Sequence, residues 1–126
     1  MKPIRIKRVY EPPAPEDGVR ILVDRLWPRG MKKTEAAVQL WLKSVAPSDE
    51  LRTWYGHDPA RWPEFREKYL AELREPEKQE EVKKIMRLAA KQPVTLLFAA
   101  RDERKNNAVV LKEFLESLAE FPPTPE

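Results

Sequence analysis

Val94-Thr95-Leu96-Leu97-Phe98-Ala99-Ala100 is an unbroken apolar run between Pro93 and the charged segment Arg101-Asp102-Glu103-Arg104-Lys105. A run this short, bounded by a proline and a charge cluster, has the length of a strand, and its lack of alternation predicts a strand covered on both faces. Val19-Arg20-Ile21-Leu22-Val23 reads the same way. Parallel neighbours require long crossovers, and the roughly 70 residues between these two runs supply one. Further upstream, Ile4, Ile6 and Tyr10 roughly alternate with Arg5, Lys7 and Arg8, the pattern of a strand exposed on one face. With helical patterns between the strands, the chain is expected to be a three-layer α/β domain with a small, mainly parallel sheet flanked by helices.

Punctuation divides the rest. Glu11 to Gly18 holds three prolines and an Asp-Gly, which predicts a stiff loop. Thr34 is expected to cap a helix running to about Lys43, and Ser48 a second through Tyr55, ended by Gly56. Asp58-Pro59 is the strongest helix start, a capping side chain followed by a proline whose missing N–H has no partner to lose. Trp62, Phe65, Tyr69, Leu70 and Leu73 then recur at helical spacing up to Pro76. Val82, Ile85, Met86 and Ala89 mark another amphipathic helix, and Ala108, Leu111, Phe114, Leu115 and Leu118 a last one. The reading is one domain over residues 1–119, near the commonest domain size, with a flexible Pro-rich tail at 120–126.

Composition excludes whole classes of chemistry. With no Cys there is no disulfide framework, thiolate metal site or cysteine nucleophile, and with one His a zinc site is strongly disfavoured. Three glycines cannot build a dinucleotide fingerprint, and no phosphate loop, nucleophile elbow or His-Glu-x-x-His run is present. Neither a cofactor nor a metal is therefore expected. No apolar stretch reaches the roughly 18 residues of a membrane span, and the first twelve residues lack the apolar core of a secretory signal, so a soluble cytoplasmic protein is the expectation. The high charged fraction (36%), 13 prolines and absent cysteine fit a protein from a hot environment.

The 24 basic and 21 acidic residues nearly cancel, but not locally: residues 1–33 carry nine basic and four acidic side chains. In open α/β sheets, ligands bind beyond the carboxyl ends of the strands. That rule selects Asp24 to Gly30 after the second strand and Arg101 to Asn107 after the third apolar segment. Arg25, Arg29 and Arg101 are candidate anion ligands because guanidinium forks pair bidentately with carboxylates and phosphates. Trp27 is a candidate pocket floor, and Asn106 and Asn107 are candidate hydrogen-bonding groups. His57, the only histidine, with Asp24 or Asp102, is the candidate acid/base pair. Each has a structural alternative: Asp24 and Arg25 as loop ion pairs, Trp27 as packing, His57 as a turn residue, Asp102 as the N-cap of the last helix.

The strings Arg8-Val9-Tyr10-Glu11-Pro12-Pro13, Leu22 to Gly30 (LVDRLWPRG), Trp54-Tyr55-Gly56-His57-Asp58-Pro59 and Val94 to Asp102 resemble the bacterial family catalogued as domain of unknown function 488, the YeaO-like group. The likeness extends to about Leu118. It implies a compact cytoplasmic α/β fold with no established activity, and it groups Asp24, Arg25, Trp27, Arg29, His57, Arg101, Asp102, Asn106 and Asn107 as one constellation. Some broader relatives of that family carry Cys after the last strand. Here Ala99 and Ala100 stand in that segment, so thiol chemistry does not carry over.

Three functions remain open at this point. The first is a small or degenerate enzyme, or a binder, acting on a phosphate- or carboxylate-bearing small molecule. The second is a non-catalytic nucleic-acid binder using Lys2 to Arg8 and Arg20 to Lys33 with Trp27 for stacking, and the third a partner-binding module. The oligomeric state is not encoded legibly.

Overall fold

The computed structural model describes residues 2–120. Strands β1 (Ile4–Arg8), β2 (Val19–Leu22), β3 (Leu40–Trp41) and β4 (Val94–Phe98) form one sheet in the order β1-β4-β2-β3, every adjacent pair parallel. Helices α1 (Lys33–Ala36), α2 (Asp49–Tyr55), α3 (Trp62–Leu73), α4 (Pro76–Ala89) and α5 (Asn107–Glu120) complete the domain. The Pro-rich tail expected from residue 120 falls, from residue 121 on, outside the described residues.

Side-chain alternation sorts the sheet into two faces. Ile4, Ile6, Val19, Ile21, Leu40, Val94, Leu96 and Phe98 pack with Tyr55, Phe65, Tyr69, Leu73, Val82, Ile85, Leu111 and Leu115 in the main core, so α2 to α5 form one layer. Val9, Leu22 and Leu97 point the other way, where Ala36, Trp27, Met31, Val38 and Trp41 cover them as a thinner layer built from α1 and its flanking loops. Being covered on both sides is why β4, every residue of which is buried, shows a continuous apolar run. The three-layer architecture with a small parallel sheet is as the sequence pattern predicts. Among the described residues, no helix is long and apolar enough to cross a membrane.

Local signals explain most boundaries. The Ser48 hydroxyl accepts the Leu51 N–H, and Gly56, in the left-handed region, closes α2. Asp58 accepts the Ala60 N–H and starts a short 3-10 turn, Pro59–Arg61, that feeds α3. Pro76 does more than end α3: it is the first residue of α4, where its fixed φ is preorganised.

One expectation fails. In place of a helix from Thr34 to Lys43, α1 ends at Ala36, Ala37 turns left-handed (φ 49°), and Leu40–Trp41 become an edge strand. The cause is the buried Arg20 guanidinium. It donates to the carbonyl of Ala36 (3.0 Å) and that of Ala37 (3.2 Å), supplying partners that another helical turn would otherwise provide. The Gln39 amide oxygen accepts the Arg20 N–H, and the Gln39 N–H returns to the Arg20 carbonyl, which fixes β3 beside β2.

Candidate functional site

Because Ile21 pairs with Leu96 and Leu22 with Leu97, the chain leaves β2 and β4 side by side at the carboxyl edge of the sheet. The Val23 N–H still reaches the Leu97 carbonyl. Asp24 follows, and its carboxylate bridges three elements: Oδ2 accepts the Ala99 N–H at 2.9 Å and Oδ1 accepts Asn107 Nδ2 at 3.1 Å, while the same Asn107 amide donates to the Val23 carbonyl. Burial pushes the Asp24 pKa up and outweighs the Ala99 N–H, the Asn107 amide and the electrostatic influence of His57, all of which lower it. Among the described residues Asp24 is within ion-pair distance of no Lys, Arg or His, so the groups hydrogen-bonded to its carboxylate are all neutral.

His57 reaches this edge through Tyr55. The Tyr55 hydroxyl donates to the Lys105 carbonyl at 3.1 Å, tying the last turn of α2 to the loop after β4, and the His57 ring lies 6.1 Å from the Tyr55 ring. Burial raises the Tyr55 pKa, with the charges of Asp102 and Asp58 adding to it, so Asp102 belongs to the same neighbourhood. His57 itself is exposed and held at φ 57°, a left-handed conformation uncommon outside glycine.

The loop from Arg101 to Asn106 is organised by its own side chains. Asp102 accepts the N–H groups of Arg104 and Lys105, and these bonds hold its carboxyl below the usual carboxylate range. It does not cap α5. That role belongs to buried Asn106, whose Oδ1 accepts the Val109 N–H and whose Nδ2 donates to the Asp102 carbonyl. Asp24, His57, Asp102, Asn106 and Asn107 are thus drawn together, with both Asn106 groups committed to structure.

Arg25 is not brought to this set. Its Nε donates to the Pro47 carbonyl and its Nη2 to the Ala46 carbonyl. There it joins a clamp on the segment between β3 and α2: Lys78 Nζ donates to the Ser44 and Ala46 carbonyls, the buried Tyr69 hydroxyl to the Val45 carbonyl, and Glu72 accepts the Ser48 N–H. Replacing Arg25 with Met is expected to destabilise the protein by about 1–3 kcal/mol in chemical denaturation while leaving anion affinity within about twofold. A large loss of anion binding in a folded Arg25→Met variant would contradict this placement. Trp27 also has a structural position: its indole N–H donates to the Met31 carbonyl and its ring meets Trp41 edge-on at 5.3 Å.

Arg8 reaches the segment after β4. At the end of β1, opposite Phe98, it donates through Nε to the Ala100 carbonyl and through Nη2 to the Ala99 carbonyl, and it lies over the Tyr10 ring. Tyr10 in turn donates to the Arg29 carbonyl, drawing the Asp24 to Gly30 loop towards β1. The sequence reading has Arg8 only in the basic stretch of the nucleic-acid alternative and not at this edge, because its proximity to residues 99–100 depends on β1 lying next to β4. Arg29, Arg101 and Arg104 are exposed. None of Arg8, Arg29, Arg101, Arg104 and Lys105 is within ion-pair distance of a carboxylate among the described residues. Two hollows of about 300 and 380 Å3 lie elsewhere, lined by neither His57, Asp24 nor the Arg101–Asn106 loop.

Comparison with known proteins places the chain among relatives that match it nearly end to end. Over 115 residues it is 49% identical to Uncharacterized protein YeaO of Escherichia coli K12, covering 91% of this chain and 98% of that one. Over 112 residues it is 43% identical to Uncharacterized protein Rv3073c of Mycobacterium tuberculosis H37Rv, covering 89% and 92%. No solved structure matches. The family model described as the inactive DUF488-N3 subclade matches residues 3–121, and the chain belongs to that family.

Proposed function

We propose that the carboxyl edge of the sheet binds an anionic small molecule, bearing phosphate or carboxylate, without turning it over. The observation that carries this reading is the group of cations without carboxylate partners along one edge. Arg8 at the end of β1, Arg29 in the loop after β2, and Arg101, Arg104 and Lys105 in the loop after β4 are brought to one edge by the strand order, and what sets them apart is that shared edge, since cations such as Lys83 and Lys84 also lack carboxylate partners. Arg8 is already anchored by two carbonyl bonds, so three of its five N–H groups remain for a ligand in a fixed orientation, which lowers the entropy lost on binding.

Absence of turnover is supported by Ala99 and Ala100, which offer no nucleophile at the strand end, and by the description of the subclade as inactive. The nucleic-acid reading draws less support: Arg20 is buried in an ion pair, Lys7 is paired with Asp17, and the Trp27 ring is packed on Trp41. Calorimetric titration with inorganic phosphate at low ionic strength tests the proposal. Saturable binding is expected, weakened about fivefold or more in Arg101→Ala and in Arg8→Gln. Absence of binding at millimolar phosphate, or affinity unchanged in both folded variants, would overturn it.

A further inference from the structure

Building on that reading, we infer that the ligand is zwitterionic or amine-bearing, its anion held by Arg8 and Arg101 and its ammonium or other donor by Asp24, which sets specificity. The argument starts from charge. The edge carries an unpaired carboxylate and unpaired guanidinium groups, and they do not neutralise one another. Asp24 accepts one bond at each oxygen, so about half the lone-pair positions of its carboxylate stay open. Its donors, a backbone N–H and an amide, are both neutral.

The separation is also set by the backbone. Ala99 donates its N–H to Asp24 Oδ2 at 2.9 Å and accepts Arg8 Nη2 on its carbonyl at 3.3 Å, so one residue's N–Cα–C=O path joins the two charges. Standard bond lengths then put the carboxylate and the guanidinium within about 10 Å of each other. A metabolite-sized molecule spans that distance with opposite charges at its ends. A pure anion would satisfy Arg8 and Arg101 and leave the half-buried Asp24 carboxylate bonded only to neutral donors, with His57 nearby as its one electrostatic neighbour of opposite sign, whereas an amine placed at Asp24 meets it with a charge-assisted hydrogen bond.

Matched probes separate this inference from the reading beneath it. ω-Aminoalkyl phosphates with two, three or four carbons are compared by calorimetry with alkyl phosphates of equal length on the wild-type protein. At least one amino compound is expected to bind about tenfold more tightly than its alkyl counterpart, and a folded Asp24→Asn variant to reduce that preference to near unity while retaining alkyl phosphate binding. Equal affinity of the two series on the wild type would overturn the inference and leave the anion site standing. Failure of both series and of inorganic phosphate to bind would remove both. Should Asp24→Asn not fold, the wild-type comparison still decides.

Discussion

Gly18→Ala is expected to cost about 3–5 kcal/mol or to prevent folding. Gly18 joins the Pro-rich loop to β2 at φ 63°, ψ −132°, a region that only glycine occupies without strain. Space is the larger difficulty. A Cβ at this position would lie 2.0 Å from the Pro93 carbonyl oxygen and 2.6 Å from its carbon, both backbone atoms at the start of β4. That same carbonyl accepts the Val19 N–H at 3.0 Å, the first bond between β2 and β4. A methyl group therefore has to open the pairing of the two central strands on which both core faces depend. Gly30→Ala is the control, because Gly30 has φ 79° and no atom within 4 Å of its would-be Cβ. It retains the backbone strain without the collision and is expected to cost about 1 kcal/mol. Urea unfolding of the two variants separates the effects, and equal destabilisation would contradict the steric argument.

The parts of this fold that were legible in the sequence are those whose cause is local. β4 is apolar throughout because it is covered on both faces, Ser48 and Asp58 announce the turns they cap, and Gly56 closes α2. The parts that were not legible have distant causes. Ala36 to Lys43 contains good helix formers, and what stops α1 is a guanidinium at position 20, whose partners become visible only when β2 is in place. β3 is two residues long, too short for any period to register. The candidate site divides the same way. Strand ends identified Asp24, Arg101 and Asn107, because carboxyl-edge loops follow from the parallel pattern alone. The directions of Arg25 and Arg8 were not legible, since one turns to carbonyls of the segment before α2 and the other reaches the residues after β4 only through the strand order.

Arg20→Met is expected to destabilise the protein by about 3–5 kcal/mol at neutral pH, more than its loss of one positive charge would suggest. Arg20 is 3% exposed and Asp17 4%, and their atoms meet at 2.7 Å, with Lys7 as a second cation on the same carboxylate. The substitution leaves Asp17 desolvated with only Lys7 and the Ala14 N–H, and it removes both donors from the carbonyls that terminate α1. Two consequences distinguish this from a generic core lesion. Amide exchange should accelerate first at Gln39 to Trp41, since β3 is docked through the α1 end. The cost should also depend on pH. Burial alone would raise the Asp17 pKa, but the Ala14 N–H, Arg20 and Lys7 together bring it below its ordinary 3.8. The ionised form is therefore favoured by folding, and the stability it contributes is present above that value and lost as pH falls through the lower, folded one. Without Arg20 the burial effect gains weight, the folded pKa of Asp17 moves upward, and protonating it relieves the variant. The difference between the two proteins should accordingly narrow as pH drops from about 6 to about 3, and a gap that stays constant across that range would show that the Arg20–Asp17 charge pair is not its source.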